Sequence, residues 1–203
     1  LSGDEATMTP TQQHATLAST SCRVAFDNLT RQLYATDASI YQIVPLAVAF
    51  PRDGQEASAI ILAASQAGVA VIPRGAGTGL VGGALGDGLV VDFARYNRQI
   101  GKPDLERRTV RVGTGVVLDQ LNNFLRPRGF CFGPDVATSS RASLGGMIAN
   151  DSSGAHTPVY GTTADHINEL EVVLADGRGV AVGPGHDTLR KERDLVRDLL
   201  CFH

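Results

Sequence analysis

Residues 73 to 88 read PRGAGTGLVGGALGDG, and seven of these sixteen positions are glycine. Apolar runs flank the stretch, VAVI before it and LVVDF after it. Glycine weakens helix and strand alike and carries the largest backbone entropy cost on folding. This density constrains the fold more than any other feature of the chain. The polypeptide must pass from one buried strand to another through a connection whose main chain is almost bare, and something has to approach that main chain closely.

The pattern around this stretch is regular. IVPLAVAFP is a β-like apolar run, and DGQEASAIILAASQAG after it reads as a helix. Asp53 with Glu56 three residues on has the spacing of a capping box, and Gly68 falls where a helix ends. The predicted order is strand, helix, strand, glycine-rich loop, strand. Upstream, residues 1–22 are polar and read as a mobile lead-in or short helix, and FDNLTRQLYA has a candidate cap at Asp27. Downstream, RRTVRVGTG alternates as a half-buried strand, and VVLDQLNNFLRPRG reads as an amphipathic helix ending before Pro127. Residues 130–163 are rich in Gly, Ser, Thr and Asn and read as loop-dominated. INELEVVLADGRGVAVG is two β-runs joined at Asp176-Gly177, a hairpin signal, and DTLRKERDLVRDLL reads as a closing helix. The expected class is α+β, with two subdomains, each a small sheet flanked by helices. The divisions fall at 1–35 (lead-in and helix), 36–102 (first subdomain) and 103–203 (second subdomain).

GTGLVG at 77–82 matches G-x-G-x-x-G, but a Rossmann site needs a helix opening directly after the glycines, and here the next apolar run is a strand. A phosphate-binding Walker loop needs a lysine after its glycines, and none follows. A glycine hairpin without a ligand is the plain structural alternative. Against it, small residues held between two buried strands present successive N–H groups on one concave face, a nest that receives phosphate oxygens without any helix. The stretch PDVATSSRASLGGMIANDSSG, from Pro134 to Gly154, repeats the logic with Gly145, Gly146, Ser139, Ser140, Asn150 and Ser153. Two such loops on separate subdomains can close over one extended ligand, its phosphates on the first and a flat ring along the second.

Four ordered segments carry a resemblance: PRGAGTGL at 73–80, SLGGMIANDSSGA at 143–155, YGTTADHI at 160–167 and LEVVLADG at 170–177. Together they resemble the FAD-binding domain of the vanillyl-alcohol oxidase / p-cresol methylhydroxylase (PCMH) type, nearest to bacterial glycolate and D-lactate dehydrogenase-like FAD-linked oxidases. The resemblance spans roughly residues 36–182. It implies that Arg74, Gly75, Ala76, Gly77, Thr78, Gly79 and Leu80 cradle the FAD pyrophosphate, chiefly through main-chain amides. It implies further that Pro134, Asp135, Ser139 and Ser140 run beside the isoalloxazine, and that Gly145, Gly146, Asn150, Ser153 and Gly154 wrap the ribityl and diphosphate region. His156 and Tyr160 would edge the flavin. Thr78 stands where some members of the family carry a flavin-linking histidine, which implies non-covalent FAD.

The same resemblance implies an oxidoreductase that takes a hydride from a small 2-hydroxy acid such as D-lactate, glycolate or 2-hydroxyglutarate. Its substrate domain and catalytic base are absent from these 203 residues, and the chain, opening on Leu1, is expected to be a fragment. An iron–sulfur domain or subunit is the expected electron acceptor. Two alternatives stand beside this one: a UDP-N-acetylenolpyruvoylglucosamine reductase-like enzyme, and a non-catalytic nucleotide-binding module. A net charge of -3 argues against nucleic acid as partner, and no apolar run reaches the length of a bilayer span, so the cytoplasm is the expected location. Cys22, Cys131 and Cys201 are too few and too scattered for a metal site, and no metal is expected.

Overall fold

A computed structural model describes residues 8–184. Six helices and six strands appear among them: α1 Pro10–Ala18, β1 Arg23–Ala25, α2 Asn28–Leu33, β2 Ala47–Phe50, α3 Gly54–Gln66, β3 Val71–Arg74, β4 Leu89–Asp92, α4 Leu118–Leu125, α5 Leu144–Ala149, α6 Thr157–Tyr160, β5 Leu170–Val173 and β6 Gly179–Val182. The first four strands make one sheet in the order β1-β2-β4-β3. β2, β4 and β3 are parallel and β1 pairs antiparallel to β2. β5 and β6 form a separate antiparallel hairpin. The two sheets and their helices make an α+β architecture.

The central strands β2 and β4 are buried at every position, as parallel strands covered on both faces must be. On one face Leu17 of α1 and Ile60, Ala63 and Ala64 of α3 pack on Ala47, Ala49, Leu89 and Val91. On the other, Val48, Phe50 and Val90 pack with Tyr34 and Ile72. A second core gathers Val116, Leu121, Leu125 and Leu144 with Phe130 and Phe132.

Helix starts follow their cap residues. Asp27 accepts from Thr30 N (2.9 Å) and Asp53 from Glu56 N (2.9 Å). Glu56 does not return its side chain to Asp53; it accepts from Arg52 N and pairs with the Arg52 guanidinium, which holds its carboxyl below the ordinary 4.5. Gly68, at φ +64°, ends α3.

The short helix that is one reading of residues 1–22 is present as Pro10–Ala18, with Thr9 as its cap and Leu17 buried in the core. One expectation changes. RRTVRVGTG does not make a regular strand. It pairs irregularly with residues 97–104 through isolated bridges at Ile100–Val112 and Asp104–Thr109, because Pro103 cannot donate to a ladder and Arg108 is turned to φ 55°. Residues 130–163 are loop-dominated, with the short helices α5 and α6 within them. Leu144 and Met147, three apart and both buried, anchor α5 against the second core and outweigh the poor helix propensity of Gly145 and Gly146. α4 ends at Leu125 and passes into a 3-10 turn over Arg126–Arg128 that contains Pro127. The expected closing helix at 187–200 lies outside the described residues.

The hairpin packs against the first sheet's helix. Ser58 of α3 donates to the carbonyl of Gly177 at the hairpin turn, and Leu62 lies against the same glycine.

Candidate phosphate and flavin site

β3 runs directly into the connection 75–88, which returns to β4 beside it. Among the described residues, none of the backbone N–H groups from Gly75 to Gly83 donates to a carbonyl or side chain. These residues are half-buried or exposed, so their N–H groups stand open to solvent or to a ligand. The connection is held in place from behind instead. Arg74 turns its guanidinium inward, donating from Nη2 to Thr36 O (2.7 Å) and from Nη1 to Tyr34 O and Ala84 O (3.3 Å each), with its Cζ 5.2 Å from the Tyr34 ring centre. The Tyr34 hydroxyl in turn donates to buried Asp92 at the end of β4, and burial together with that bond pushes the phenol's pKa up. Ala38 N donates to Gly77 O (2.9 Å), and the Tyr41 ring lies against Gly82.

The second glycine-rich segment meets the first. A methyl group added to Gly75 would overlap the Ser143 hydroxyl, so the chain passes at a separation only glycine permits. Ser143, immediately before α5, is buried, and its Oγ has no partner. A cradle of unpaired amides with an unpaired buried hydroxyl at its side fits the oxygens of a phosphate group.

Asp135 accepts from His156 N (3.3 Å) and pairs with His156 Nδ1, while Gly154 lies so close to Asp135 that a side chain there would overlap it. The His156 and Tyr160 ring centres are 5.9 Å apart. His166 Nε2 lies 2.7 Å from Tyr160 O, and its ring is 5.3 Å from that of Phe132. The hydrogen bond from His156 holds the Asp135 carboxyl below its ordinary 3.8. A depressed carboxylate contributes stability above its unfolded pKa and loses it as pH falls through the folded one. Asp135→Asn is therefore expected to lower Tm at neutral pH, with the gap to the parent closing on acidification below about pH 4. A gap constant down to pH 3 would show that the pair contributes nothing.

The structure thus brings Gly75 together with Ser143 and Gly146, and Asp135 together with Gly154 and His156. Other expected residues are committed locally. Asn150 Nδ2 donates to Gly146 O (2.8 Å), Gly145 N donates to Thr114 O (2.8 Å), and Ser139 O receives Asp119 N at the start of α4 (3.1 Å). Ser140, Ser153, Gly79 and Leu80 are exposed, Ala76 is exposed beside half-buried Thr78, and Pro134 is buried. Sequence reasoning passed over Ser143, whose place before an apolar helix turn marks it as an ordinary cap. It also passed over Asp37–Tyr41, which carries no glycine pattern. Among the described residues no three His, Cys, Asp or Glu side chains are placed to hold a metal ion.

Comparison with known proteins bears on this geometry. The model of a family described as FAD binding domain matches residues 45–183. The chain is 47% identical over 146 residues to D-2-hydroxyglutarate dehydrogenase of Pantoea ananatis, an alignment covering 70% of this chain and 14% of that protein. It is 36% identical over 159 residues to glycolate oxidase subunit GlcD of Bacillus subtilis, covering 77% of this chain and 34% of that one. Among solved structures it resembles alkyldihydroxyacetonephosphate synthase with a TM-score of 0.75 at 20% identity, over 92% of this chain and 37% of that one, a likeness of fold alone.

Proposed function

Because the chain belongs to the FAD binding domain family, we propose that its bare connection is the pyrophosphate cradle and that it forms the flavin-holding part of a larger oxidoreductase acting on a small 2-hydroxy acid. The chain spans about one-seventh of the length of the D-2-hydroxyglutarate dehydrogenase it matches, so the substrate-binding groups belong to the rest of such a protein. The run of unpaired amides from Gly75 to Gly83 carries the reading. Amides aimed at one concavity stabilise an anion without a fixed counter-charge, and the glycines let its oxygens come within hydrogen-bond reach.

In this reading Gly75–Leu80 hold the phosphates, and Arg74 holds the loop from behind. Gly145, Gly146, Asn150, Ser153 and Gly154 line the ribityl side. Pro134, Asp135, Ser139 and Ser140 lie along the ring, with His156 and Tyr160 at its margin. Thr78 occupies the loop position of a linking histidine, so the cofactor is held without a covalent bond. Bound FAD supplies an acceptor for the hydride of a hydroxy acid. Names of relatives support the substrate class: one acts on D-2-hydroxyglutarate and another is a glycolate oxidase subunit. An iron–sulfur domain or subunit as onward acceptor, and a cytoplasmic location, belong to the same proposal. No helix among the described residues is long and apolar enough to cross a membrane.

The test has two stages. The chain titrated with FAD is expected to quench flavin fluorescence saturably at one equivalent. The full-length parent, yellow as isolated, is expected to bleach anaerobically with D-2-hydroxyglutarate, D-lactate or glycolate and to stay oxidised with NADPH. Bleaching by NADPH alone would move the assignment to the UDP-sugar reductase class. A chain and parent that both fail to hold FAD would end it.

A further inference from the structure

A group of cationic side chains gathers at the far edge of the first sheet, away from the glycine-rich connection. Arg23, the first residue of β1, stands opposite Phe50, the last of β2. Its Cζ lies 5.5 Å from the Phe50 ring centre, and that of Arg95, just past β4, lies 4.9 Å from the same ring. Arg95 Cζ is also 5.5 Å from the ring centre of Tyr96. Phe50 and Tyr96, with Ser21, Arg23 and Arg52, line a cavity of about 260 Å3, so Arg95 stands at its margin.

The charges at this cavity are one-sided. No carboxylate lines it. Arg52 pairs with buried Glu56, but among the described residues neither Arg23 nor Arg95 has an ion-pair partner. Asp92, at the end of β4, is committed to the amides of Ala94 and Arg95 and to the Tyr34 hydroxyl. The Tyr96 hydroxyl senses both cations. Its interaction with Arg23, and after it the charge of Arg95, holds the phenol below its ordinary 10. The group is also held in place, because Asn97 Nδ2 donates to Pro51 O (2.9 Å) and ties the turn that carries Arg95 and Tyr96 to the end of β2. Stacking on a ring fixes a guanidinium's plane and leaves its N–H edges for an oxyanion. Two cations held on one ring repel each other, and an anion between them relieves that repulsion.

We infer that this cavity is a second anion site, separate from the proposed flavin cradle, that takes a small dianion between Arg23 and Arg95, with the hydroxyls of Tyr96 and Ser21 as further partners. Arginine forks match the paired oxygens of phosphate and carboxylate alike, so the ligand class is a phosphate ester or a dicarboxylate. Two unanswered charges suit a doubly charged ligand, and the volume is too small for a dinucleotide. The glycine-rich connection leaves β3 at the opposite edge of the sheet, three strand spacings or about 14 Å from β1.

The test reads the Tm of the FAD-free 203-residue chain with millimolar inorganic phosphate or succinate, against sodium chloride of equal ionic strength. Such concentrations are too low for general salting effects. Either dianion is expected to raise Tm by about 3 °C by binding the folded form alone. The double variant Arg23→Gln/Arg95→Gln, which keeps the apolar stems over Phe50, is expected to lose that shift. Gly79→Val, altered only in the glycine-rich connection, is expected to keep it. Phosphate or succinate titrated calorimetrically into Gly79→Val is expected to bind at one equivalent, a check that leaves the arginines unchanged. A response to phosphate alone makes the ligand a phosphate ester, and one to succinate alone a dicarboxylate. No shift with either dianion, or a shift that survives in the double variant, overturns the inference. So does a shift lost in Gly79→Val, which would put the anion on the glycine-rich connection instead.

Discussion

Gly79→Val is expected to fold as well as the parent chain and to raise the Kd for FAD by at least ~100-fold, about 2.7 kcal/mol of binding. The two halves of this result come from the same surroundings. A side chain at Gly79 meets nothing within 4 Å in the protein, and the residue does not have a positive φ, so valine costs the FAD-free fold little. In the proposed cradle it would instead occupy the anion's space and hold it beyond hydrogen-bond distance. Gly77→Val makes the contrast. Gly77 has φ +66°, and a Cβ there would sit 2.9 Å from Arg74 Nη2, so that variant is expected to lose Tm along with FAD. Thermal melts of FAD-free protein beside flavin fluorescence titrations separate the two. FAD affinity of Gly79→Val within a few-fold of the parent would mean that the phosphates lie elsewhere.

Arg74→Lys is the second large effect, and it distinguishes holding the loop from holding the ligand. An arginine facing phosphate would be replaced by lysine with much of its attraction kept, and the remaining affinity would fall steeply with salt. Arg74 serves three carbonyls, on Tyr34, Thr36 and Ala84, and lies over the Tyr34 ring. A single ammonium cannot span three acceptors set around a planar fork. The expected loss is ~2 kcal/mol of stability, roughly 4–8 °C in Tm, with FAD affinity reduced at least tenfold and little dependence on ionic strength. Tyr34→Phe, which removes the bond to Asp92 and keeps the ring beneath Arg74, is expected to produce a weaker version of the same pattern. A normal Tm in Arg74→Lys with salt-sensitive loss of FAD would return Arg74 to direct phosphate contact.

How much of this could be read from the amino-acid order varies with the range of the interactions involved. Strand β2, helix α3, strand β3, the bare connection and strand β4 were legible, because apolar periodicity, the Asp53 cap and Gly68 are all local signals. The hairpin at Asp176-Gly177 was legible for the same reason. α5 was not: its six residues include two glycines, and only burial of Leu144 and Met147 makes a helix there the better conformation. The irregular pairing of residues 97–104 with 109–115 escaped as well, since Val110 and Val112 alternate like a strand and the interruption at Pro103 lies on the partner segment.

The candidate site divides along the same line. Which main chain must be bare, and hence the proposal of an anion such as pyrophosphate as its guest, came from sequence alone, because the absence of side chains is a property of each residue by itself. Which way Arg74 faces, that Ser143 lies against Gly75, and that Asp135 pairs with His156 were decided only by tertiary structure. Ser143 and Gly75 are 68 positions apart, Asp135 and His156 21, and Arg74 stands 40 and 38 from Tyr34 and Thr36; a side chain's partner at such distances follows from how sheets and helices pack around it, not from its neighbours in the chain.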